Sequence, residues 1–521
     1  MGWNWHGIGQ RIYKSSYDVR KAIGKEAIIV RKLESCCIVH RNQWLHRLWS
    51  VIGVYLVLAS SVISYAQETI ISPATELNLS QPDWGIGAIF KTATVVRGAA
   101  SCAASSCHGG PRPAVSTPSA LRGSEYPIWL ESDPHAASWR TLASEQSQQI
   151  LTKLGIIRNG AIAKPREYDN CLACHNTNRE LSTDKLTPLI AEGVGCESCH
   201  GPSQPWYAWH YQLNGSLIEG MTEIKPLVQR AKLCVACHVG SADRDMNHDI
   251  IAAGHPALYF DMSVYHDRYP KHWRDPMMST PDYRARLWLA GQVAMADAEL
   301  ELTSARASKT HAVSVWPELS LYRCTDCHVA LNGALHLPSG DSREIIVSGR
   351  ANPRTWNLRG IESLAFHLES RAALLLIEES KNLQELLRDK ASDATKIIEV
   401  TALLRQLLAA QFYPGGDRDV VGWNRQKLRS LSRTQLAKPE VGQDWESAAQ
   451  FYVGAWASGA QSESKQLSEA MHTMRRALVF PNDKQSPSFP RAAKTNHPPN
   501  LEEWRSALKQ AAVGLLESDS Q

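Results

Sequence analysis

The sequence lacks a strong excess of charge and several short motifs that mark common enzyme classes. Its formal net charge is only +4 over 521 residues. It has no glycine-rich phosphate-binding loop, which marks many nucleotide-binding proteins, and no G-x-S-x-G segment, which marks many hydrolases. The length is too great for one ordinary core and predicts two or three compact units.

The small positive charge is concentrated at the N-terminus. Residues 1–66 contain nine Lys or Arg and three acidic residues, so the rest of the chain has a formal charge of −2. Nucleic-acid-binding proteins usually present a clear basic surface. We therefore expect no nucleic-acid partner for the part of the chain after residue 66.

An apolar run follows these basic residues. It covers 48–66, LWSVIGVYLVLASSVISYA, and ends in the small-x-small sequence Ser64-Tyr65-Ala66. The pattern predicts a cleaved export signal at 44–66 and hence a periplasmic protein. The alternative is an uncleaved anchor in the cytoplasmic membrane, because the run is nearly long enough to span a bilayer. Residues 1–43 form an N-terminal extension, which either is a genuine cytoplasmic segment or reflects a start codon assigned too early.

No cysteine after residue 37 stands outside a Cys-His pattern. Two of the 12 cysteines, Cys36 and Cys37, precede the apolar run, and the other ten form five pairs that are each followed directly by histidine. Four of the pairs have the spacing CxxCH. These are Cys171 and Cys174 before His175, Cys196 and Cys199 before His200, Cys234 and Cys237 before His238, and Cys324 and Cys327 before His328.

The CxxCH spacing suits covalent attachment of haem c. The two thiols add to the porphyrin vinyl groups, and the next residue is then held against the porphyrin face, where its imidazole binds iron. Zinc knuckles are the alternative, but nothing in zinc coordination requires a histidine directly after the second cysteine. With 19 histidines in 521 residues, four such coincidences have a probability of about one in a million. We therefore expect at least four haems, with the motif cysteines as thioethers and the motif histidines as proximal ligands.

The fifth cysteine pair has a wider spacing. Cys102 and Cys107 are separated by four residues, and they precede His108 and Gly109, which repeats the Cys-His-Gly ending at 199–201. A disulfide is the alternative in an oxidising compartment. A wider loop can still bring both thiols to the vinyl groups, so we predict a fifth haem here with His108 as its proximal ligand.

The other histidines are candidates for the second axial position on each iron. An imidazole there keeps iron low-spin and closed to small molecules, which suits an electron carrier. Eight histidines between residues 102 and 366 lie outside the motifs, and three of these are His210, His266 and His311. We predict the other five as distal ligands, namely His135, His248, His255, His272 and His336.

Helical periodicity is concentrated in the second half of the chain. Residues 282–308 are predicted to form a long helix capped by Asp282, whereas 101–275 are predicted to have little regular secondary structure around the haems. Further helices are predicted within 361–411, 444–459, 463–479 and 500–517. The fold is therefore predicted to be mainly α, with a multihaem cytochrome c domain at 67–340 and a helical C-terminal region at 341–521.

Five segments extend the Cys-His motifs or lie between them, namely EGVGCESCHGP (192–202), LCVACHVG (233–240), NHDIIAAGHPALYF (247–260), YPKHW (269–273) and PELSLYRCTDCH (317–328). Together they resemble the cytochrome c-554-like multihaem proteins, which are distantly related in layout to hydroxylamine oxidoreductase. The resemblance covers about residues 100–335. It implies a mostly helical, haem-packed fold that passes electrons between periplasmic redox partners, and it implies His255 and His272 as distal ligands. Cytochrome c-554 itself has four haems, one fewer than we expect here.

These observations predict one function and leave two alternatives. The preferred function is a periplasmic multihaem c-type cytochrome that exchanges electrons with redox partner proteins, either in the periplasm or at the membrane. The first alternative is an oxidoreductase that acts on a small nitrogen or sulfur compound at a five-coordinate haem. The second is an assembly factor whose C-terminal helices dock onto a partner complex.

Overall fold

The structure of the chain is a computed structural model. It describes residues 96–111, 123–177, 192–212, 218–308, 316–323, 351–368, 370–389, 393–412, 423–438, 441, 445–462, 465–478, 506 and 513. The chain divides into two compact units, Met1–Pro82 and Asp83–Gln521, and all described residues belong to the second. The predicted export signal lies outside them. Within the described ranges, no helix is both long and apolar enough to cross a membrane.

The described part of the chain is mainly helical, which confirms the predicted fold class. The α-helices are α1 (Glu125–Ser132), α2 (Ser138–Thr141), α3 (Glu145–Lys153), α4 (Pro165–His175), α5 (Cys196–His200), α6 (Leu227–His238), α7 (His248–Ala253), α8 (Met262–Arg268), α9 (Tyr283–Ala307), α10 (Arg359–Ala365), α11 (Arg371–Arg388), α12 (Ala394–Phe412), α13 (Arg425–Leu436), α14 (Trp445–Ala457) and α15 (Lys465–Ala477). The helices predicted within 361–411, 444–459 and 463–479 are therefore present. The one predicted at 500–517 lies almost entirely outside the described residues.

Two short strands form a hairpin between α3 and α4. Strands β1 (Ile157–Arg158) and β2 (Ala161–Ile162) pair antiparallel. The turn residues Asn159 and Gly160 both have positive φ, at 52° and 78°. Asn-Gly is favoured in such two-residue turns because both central residues must adopt positive φ. This dipeptide is a sequence signal that periodicity alone does not detect.

The long helix predicted at 282–308 is present as α9. Every residue from Leu287 to Ala298 is buried, as expected for a helix that is apolar on all sides. Asp282 precedes α9, but the prediction that its side chain caps the helix is wrong. Its Oδ1 instead accepts a hydrogen bond from the Arg425 backbone N–H at 3.0 Å. The carboxylate therefore joins the start of α9 to the start of α13.

One hydrophobic core joins helices from both halves of the chain. It contains buried side chains from α6, α8 and α9, and from each helix between α10 and α15. Polar contacts reinforce it, since the Arg405 guanidinium lies 2.7 Å from Asp297 and 3.1 Å from Glu301. The domain boundary predicted at residue 340 lies outside the described residues and stays a prediction. The helices on either side of it share this core.

The chain before α9 is built differently. Its helices are 12 residues long or shorter and are separated by loops. This agrees with the many Gly and Pro residues and the few long periodic runs in this region. Two small apolar clusters occur here, one around Trp129 and one around Leu172. Apart from α6 and α8, which pack into the main core with α9, this part of the fold therefore has much less apolar packing.

A buried leucine tests whether α12 belongs to the core. Leu404 is 2% exposed, whereas Leu374 of α11 is 64% exposed. Leu404→Ala should lower the free energy of unfolding by about 2–5 kcal/mol, because it leaves a cavity at a buried position. Leu374→Ala makes the same chemical change at the surface and should cost less than about 0.5 kcal/mol. Chemical denaturation followed by circular dichroism measures both, and equal effects would contradict this assignment of α12.

Candidate haem-binding site

Three of the CxxCH motifs end a helix at their histidine. Helix α4 ends at His175, α5 at His200 and α6 at His238. Residues three and four positions apart lie on one face of a helix. Each motif therefore presents its two thiols and its imidazole to the same side, as attachment to a single flat group requires.

We number the Cys-His sites in chain order. Site 1 comprises Cys102, Cys107 and His108, and sites 2, 3, 4 and 5 are the motifs at 171–175, 196–200, 234–238 and 324–328. The structure describes sites 1 to 4, while site 5 lies outside the described residues, as does His336.

Sites 1 to 4 line one continuous cavity of about 3080 Å³. This volume is about three times the upper end of the range for ordinary small-ligand pockets, about 300–1,000 Å³. All eight cysteines of the four sites lie in its wall. Nine histidines also line it, namely His108, His135, His175, His200, His210, His238, His255, His266 and His272. The space can hold several macrocycles side by side.

Each of the four motif histidines faces one histidine from a distant segment. The ring centroids are 6.1 Å apart for His108 and His210, 6.4 Å for His175 and His255, 6.5 Å for His200 and His272, and 6.1 Å for His238 and His135. Two imidazoles bound to one iron from opposite sides, each with a metal–nitrogen distance of about 2 Å, have centroids about 6.3 Å apart. All four pairs match that separation.

The same distances argue against zinc. Two imidazoles on a tetrahedral zinc ion meet at about 110°, so their centroids would be only about 5 Å apart. Within the described ranges, no group of three or more His, Cys, Asp or Glu side chains is arranged to hold a bare metal ion. The residues present fit a haem with two axial imidazoles.

Three of the five predicted distal histidines face a motif histidine, namely His135, His255 and His272. The partner of His108 is His210, which was not among the predicted ligands. His210 follows Trp206 and Tyr207 in a turn region that contains Pro205. No Gly or Pro directly adjoins His210, as Gly254 and Pro256 adjoin His255, so no signal next to it distinguished it from a surface residue. His248 is at the start of α7 and does not line the cavity. His266 lines the cavity but lies 3.2 Å from an Arg230 nitrogen instead of facing a motif histidine.

Residues 101–201 match a family model described as cytochrome c554 and c-prime. This segment is cytochrome c554-like. The match supports a c-type cytochrome role in electron transfer and implies haem c as the cofactor. Searches of curated proteins and of solved structures returned no match.

Burial keeps most of the paired imidazoles neutral. It lowers the pKa of His200 to about 4 and that of His238 to about 3, and it also lowers the pKa values of His175, His255 and His272. Neutral imidazole is the form that binds a metal, because the nitrogen lone pair is free. His108 differs, since its hydrogen bond to Glu125 raises its pKa.

Neighbouring Cys-His sites touch each other. The Cys102 thiol of site 1 lies beside that of Cys196 of site 3, and a hydrogen bond between the two lowers the pKa of Cys102. The Tyr269 ring lies between sites 3 and 4, with centroids 6.3 Å from His272 and 5.8 Å from His135. Sites 1, 3 and 4 therefore follow one another in space.

Site 2 adjoins site 4 at the other end of this row. The Cys237 sulfur of site 4 lies 3.9 Å from the carbonyl oxygen of Ala173, which is inside the motif of site 2. The Ser138 hydroxyl lies 2.7 Å from the His135 carbonyl oxygen and 2.8 Å from that of His175. The spatial order of the described sites is thus 1, 3, 4, 2, which differs from their order along the chain.

Two glutamates around site 3 hold the backbone that leads into site 1. Glu197 is buried and accepts hydrogen bonds from the backbone N–H groups of Arg97, Gly98 and Ser203, at 2.7–3.2 Å. Glu192 accepts from the Ala99 and Ala100 N–H groups. These contacts give the acidic residues of EGVGCESCHGP a structural role.

Gly193 allows the backbone to approach a distal histidine closely. Its φ is +68°, and a Cβ atom there would lie 2.6 Å from the His135 carbonyl oxygen. The next residue, Val194, donates its N–H to that same oxygen at 3.0 Å. A side chain at position 193 would therefore displace the segment that carries His135.

Gly193→Ala should destabilise the protein and disturb site 4. The left-handed backbone costs about 1–2 kcal/mol for a non-glycine residue, and the steric overlap adds about 1–3 kcal/mol. Gly160→Ala is the matched control, because Gly160 has a φ of +78° but a Cβ atom added there would meet nothing within 4 Å. Thermal unfolding should show the larger loss for Gly193→Ala, with a change in the haem spectrum for that variant alone. Equal losses would contradict the close approach.

Proposed function

We propose that this chain is a periplasmic multihaem c-type cytochrome that transfers electrons through five covalently bound haems, with four as the minimum. The observation that carries the proposal is the pairing of all four described motif histidines with a second histidine at about 6.3 Å. Bound haem iron would supply one-electron chemistry by cycling between its ferric and ferrous states.

The cysteines and the histidine pairs have separate tasks in this proposal. The cysteines of each site would attach the haem through thioethers, and the motif histidine would be one of its iron ligands. His210, His255, His272 and His135 would be the second iron ligands of sites 1, 2, 3 and 4. A second imidazole leaves no open coordination position, so the arrangement favours an electron carrier over an enzyme that binds a small molecule at iron.

His248 is our proposed distal ligand for site 5. Its backbone N–H donates a hydrogen bond of 2.8 Å to Glu318, which lies six residues before Cys324. This contact brings the start of α7 close to the chain segment that leads into site 5. His336, the other predicted ligand for this region, lies outside the described residues and stays a prediction.

The spatial order 1, 3, 4, 2 supports stepwise transfer within the chain. Neighbouring sites in this row are joined by direct contacts, through the Cys102 and Cys196 thiols, through the Tyr269 ring and through Cys237 at Ala173. Short separations between neighbouring redox groups are what a multi-step electron path needs. Among the four described sites, each lies next to one or two others. Sites 1 and 2 are the ends of this row and would exchange electrons with other redox groups.

The periplasmic location and the partners are also proposals. The basic lead and apolar run at 44–66 support export, and covalent haem attachment takes place outside the cytoplasm. We propose redox proteins of the periplasm or membrane as partners, with no nucleic acid. Trp209, which is 60% exposed beside His210, makes site 1 a suitable end of the row for such contact. Docking of a partner complex on the C-terminal helices stays a prediction.

Removing one distal histidine tests the coordination directly. His255→Ala should turn one low-spin haem per chain into a high-spin haem that binds cyanide or carbon monoxide. His266→Ala is the control, because His266 is buried in the same cavity but contacts Arg230 and Tyr283. Electron paramagnetic resonance and ligand titration measure both. If His255→Ala leaves every haem low-spin, the proposed pairing of site 2 is wrong.

The haem count and the mature N-terminus can be measured together. Intact mass should correspond to residues 67–521 plus five haems, and a haem assay should give five per chain. The variant Cys102→Ala, Cys107→Ala should contain one haem fewer. An unchanged count in that variant would mean that site 1 is a disulfide, and a mass that includes residues 44–66 would mean an uncleaved anchor.

A further inference from the structure

The surroundings of the second ring nitrogen, Nδ1, differ among seven of the eight paired histidines. Carboxylates face two of them, with Glu125 at 3.1 Å from His108 and Asp133 at 2.9 Å from His135. Neutral oxygens face three others, namely Ser138 and Thr141 at His175, Tyr207 at His210 and Pro256 at His255. The Nδ1 atoms of His200 and His272 are buried and have no acceptor among the described residues.

Asp133 is the more deeply buried of the two carboxylates. Its side chain is 1% exposed, whereas that of Glu125 is 24% exposed. Its Oδ1 accepts from both the backbone N–H and the Nδ1 of His135, at 3.0 and 2.9 Å. One oxygen atom thus orients the ring and places a negative charge directly behind it.

A carboxylate in this position changes the electronic properties of the imidazole. It accepts a hydrogen bond from Nδ1–H, which makes the other ring nitrogen, Nε2, a stronger electron-pair donor to a metal. The stronger donor and the negative charge both favour ferric iron, which carries one more positive charge than ferrous iron. The effect is larger in a buried site, because charges interact more strongly where water is excluded.

Site 3 has a different environment. Neither His200 nor His272 has a carboxylate on its Nδ1, and both Nδ1 atoms are buried without an acceptor among the described residues. Carboxylates act on this site through space, with Asp133 near His272 and Glu125 acting on both rings. A site with weaker compensating charge favours the more highly charged ferric state less. Sites 3 and 4, which adjoin each other through Tyr269, therefore differ in the strength of this influence.

We propose that Asp133 is a positioning and tuning residue that lowers the reduction potential of the site 4 haem, so that this haem is reduced after the neighbouring site 3 haem. The inference rests on the proposed function, because it requires His135 and His238 to share one iron. It goes further by assigning an order of reduction to two adjacent haems.

The groups near Asp133 indicate which haem sites should change their reduction potential when its charge is removed. The Tyr269 hydroxyl faces the same carboxylate, and Asp133 is close enough to His272 and Cys199 to act on them through space. Loss of its charge should therefore raise the potential of site 4 most and that of site 3 less. Sites 1 and 2 should hardly change.

The substitution Asp133→Asn separates charge from position. Asparagine has the same shape and also caps helices, so it can keep the hydrogen bond from the His135 backbone N–H. Glu125→Gln is the matched control at site 1, where the carboxylate is less buried. Spectroscopic redox titration of the full-length holoprotein gives the potentials. The variants His135→Ala and His272→Ala identify the waves of sites 4 and 3 by making those haems high-spin.

The expected result is that Asp133→Asn shifts the site 4 wave to higher potential, while all haems stay low-spin and the haem count stays at the parent value. Glu125→Gln should shift the site 1 wave by less than Asp133→Asn shifts the site 4 wave. It should shift the site 3 wave slightly, because Glu125 acts through space on His200 and His272, and it should leave the site 4 wave unchanged. An unchanged site 4 wave with an intact haem count would overturn the role of Asp133 without affecting the proposed function. A parent protein in which site 4 is reduced before site 3 would overturn the proposed order. Loss of haem or of the low-spin signal at site 4 in Asp133→Asn would also overturn the tuning role, because it would mean that Asp133 acts only in folding.

Discussion

The pairing of imidazoles across a shared point is the constraint on which the rest of the haem region depends. Each motif histidine sits at the end of a short segment, and its partner comes from a distant part of the chain. Four such pairs, with centroids 6.1–6.5 Å apart, bring together distant segments of the chain, of which α6 also packs into the main core. In the proposed holoprotein, the bound groups would fill the cavity between them and act as its core. The loops can then be irregular, because ligand bonds and thioethers fix them.

The helices after residue 282 have a different source of order. Helix α9 is buried along most of its length, and the helices from α10 to α15 pack into one core with it and with α6. Because α6 also ends in the site 4 motif, this core is continuous with the haem region. A well-packed helical core can thereby support a region that has little apolar packing of its own.

The environments of the four described sites differ although their motifs are nearly the same. Carboxylates, neutral oxygens or no acceptor face the outer nitrogens of the paired imidazoles. Hydrogen bonding and burial are the two means by which a protein tunes identical haems. The row of sites is therefore not expected to be uniform in potential, and the arrangement of charge along it can direct where electrons reside.

The sequence by itself was sufficient for the fold class and the long helix at 282–308, because these depend on periodicity. Its local spacing also marks the five cysteine-histidine sites, whose attachment of haem stays a proposal. It also indicated His135, His255 and His272, each near a turn or helix start. His210 was not predicted, because no local signal marks it and only the fold brings it to His108. The contact of Asp133 with His135 is local, since the two residues are two positions apart. The spatial order 1, 3, 4, 2 and the approach of Asp133 to Tyr269 and His272 were decided by tertiary structure. The physical reason is that ligand pairing and charge proximity join residues far apart in the chain, whereas the spacing rules apply only to neighbours.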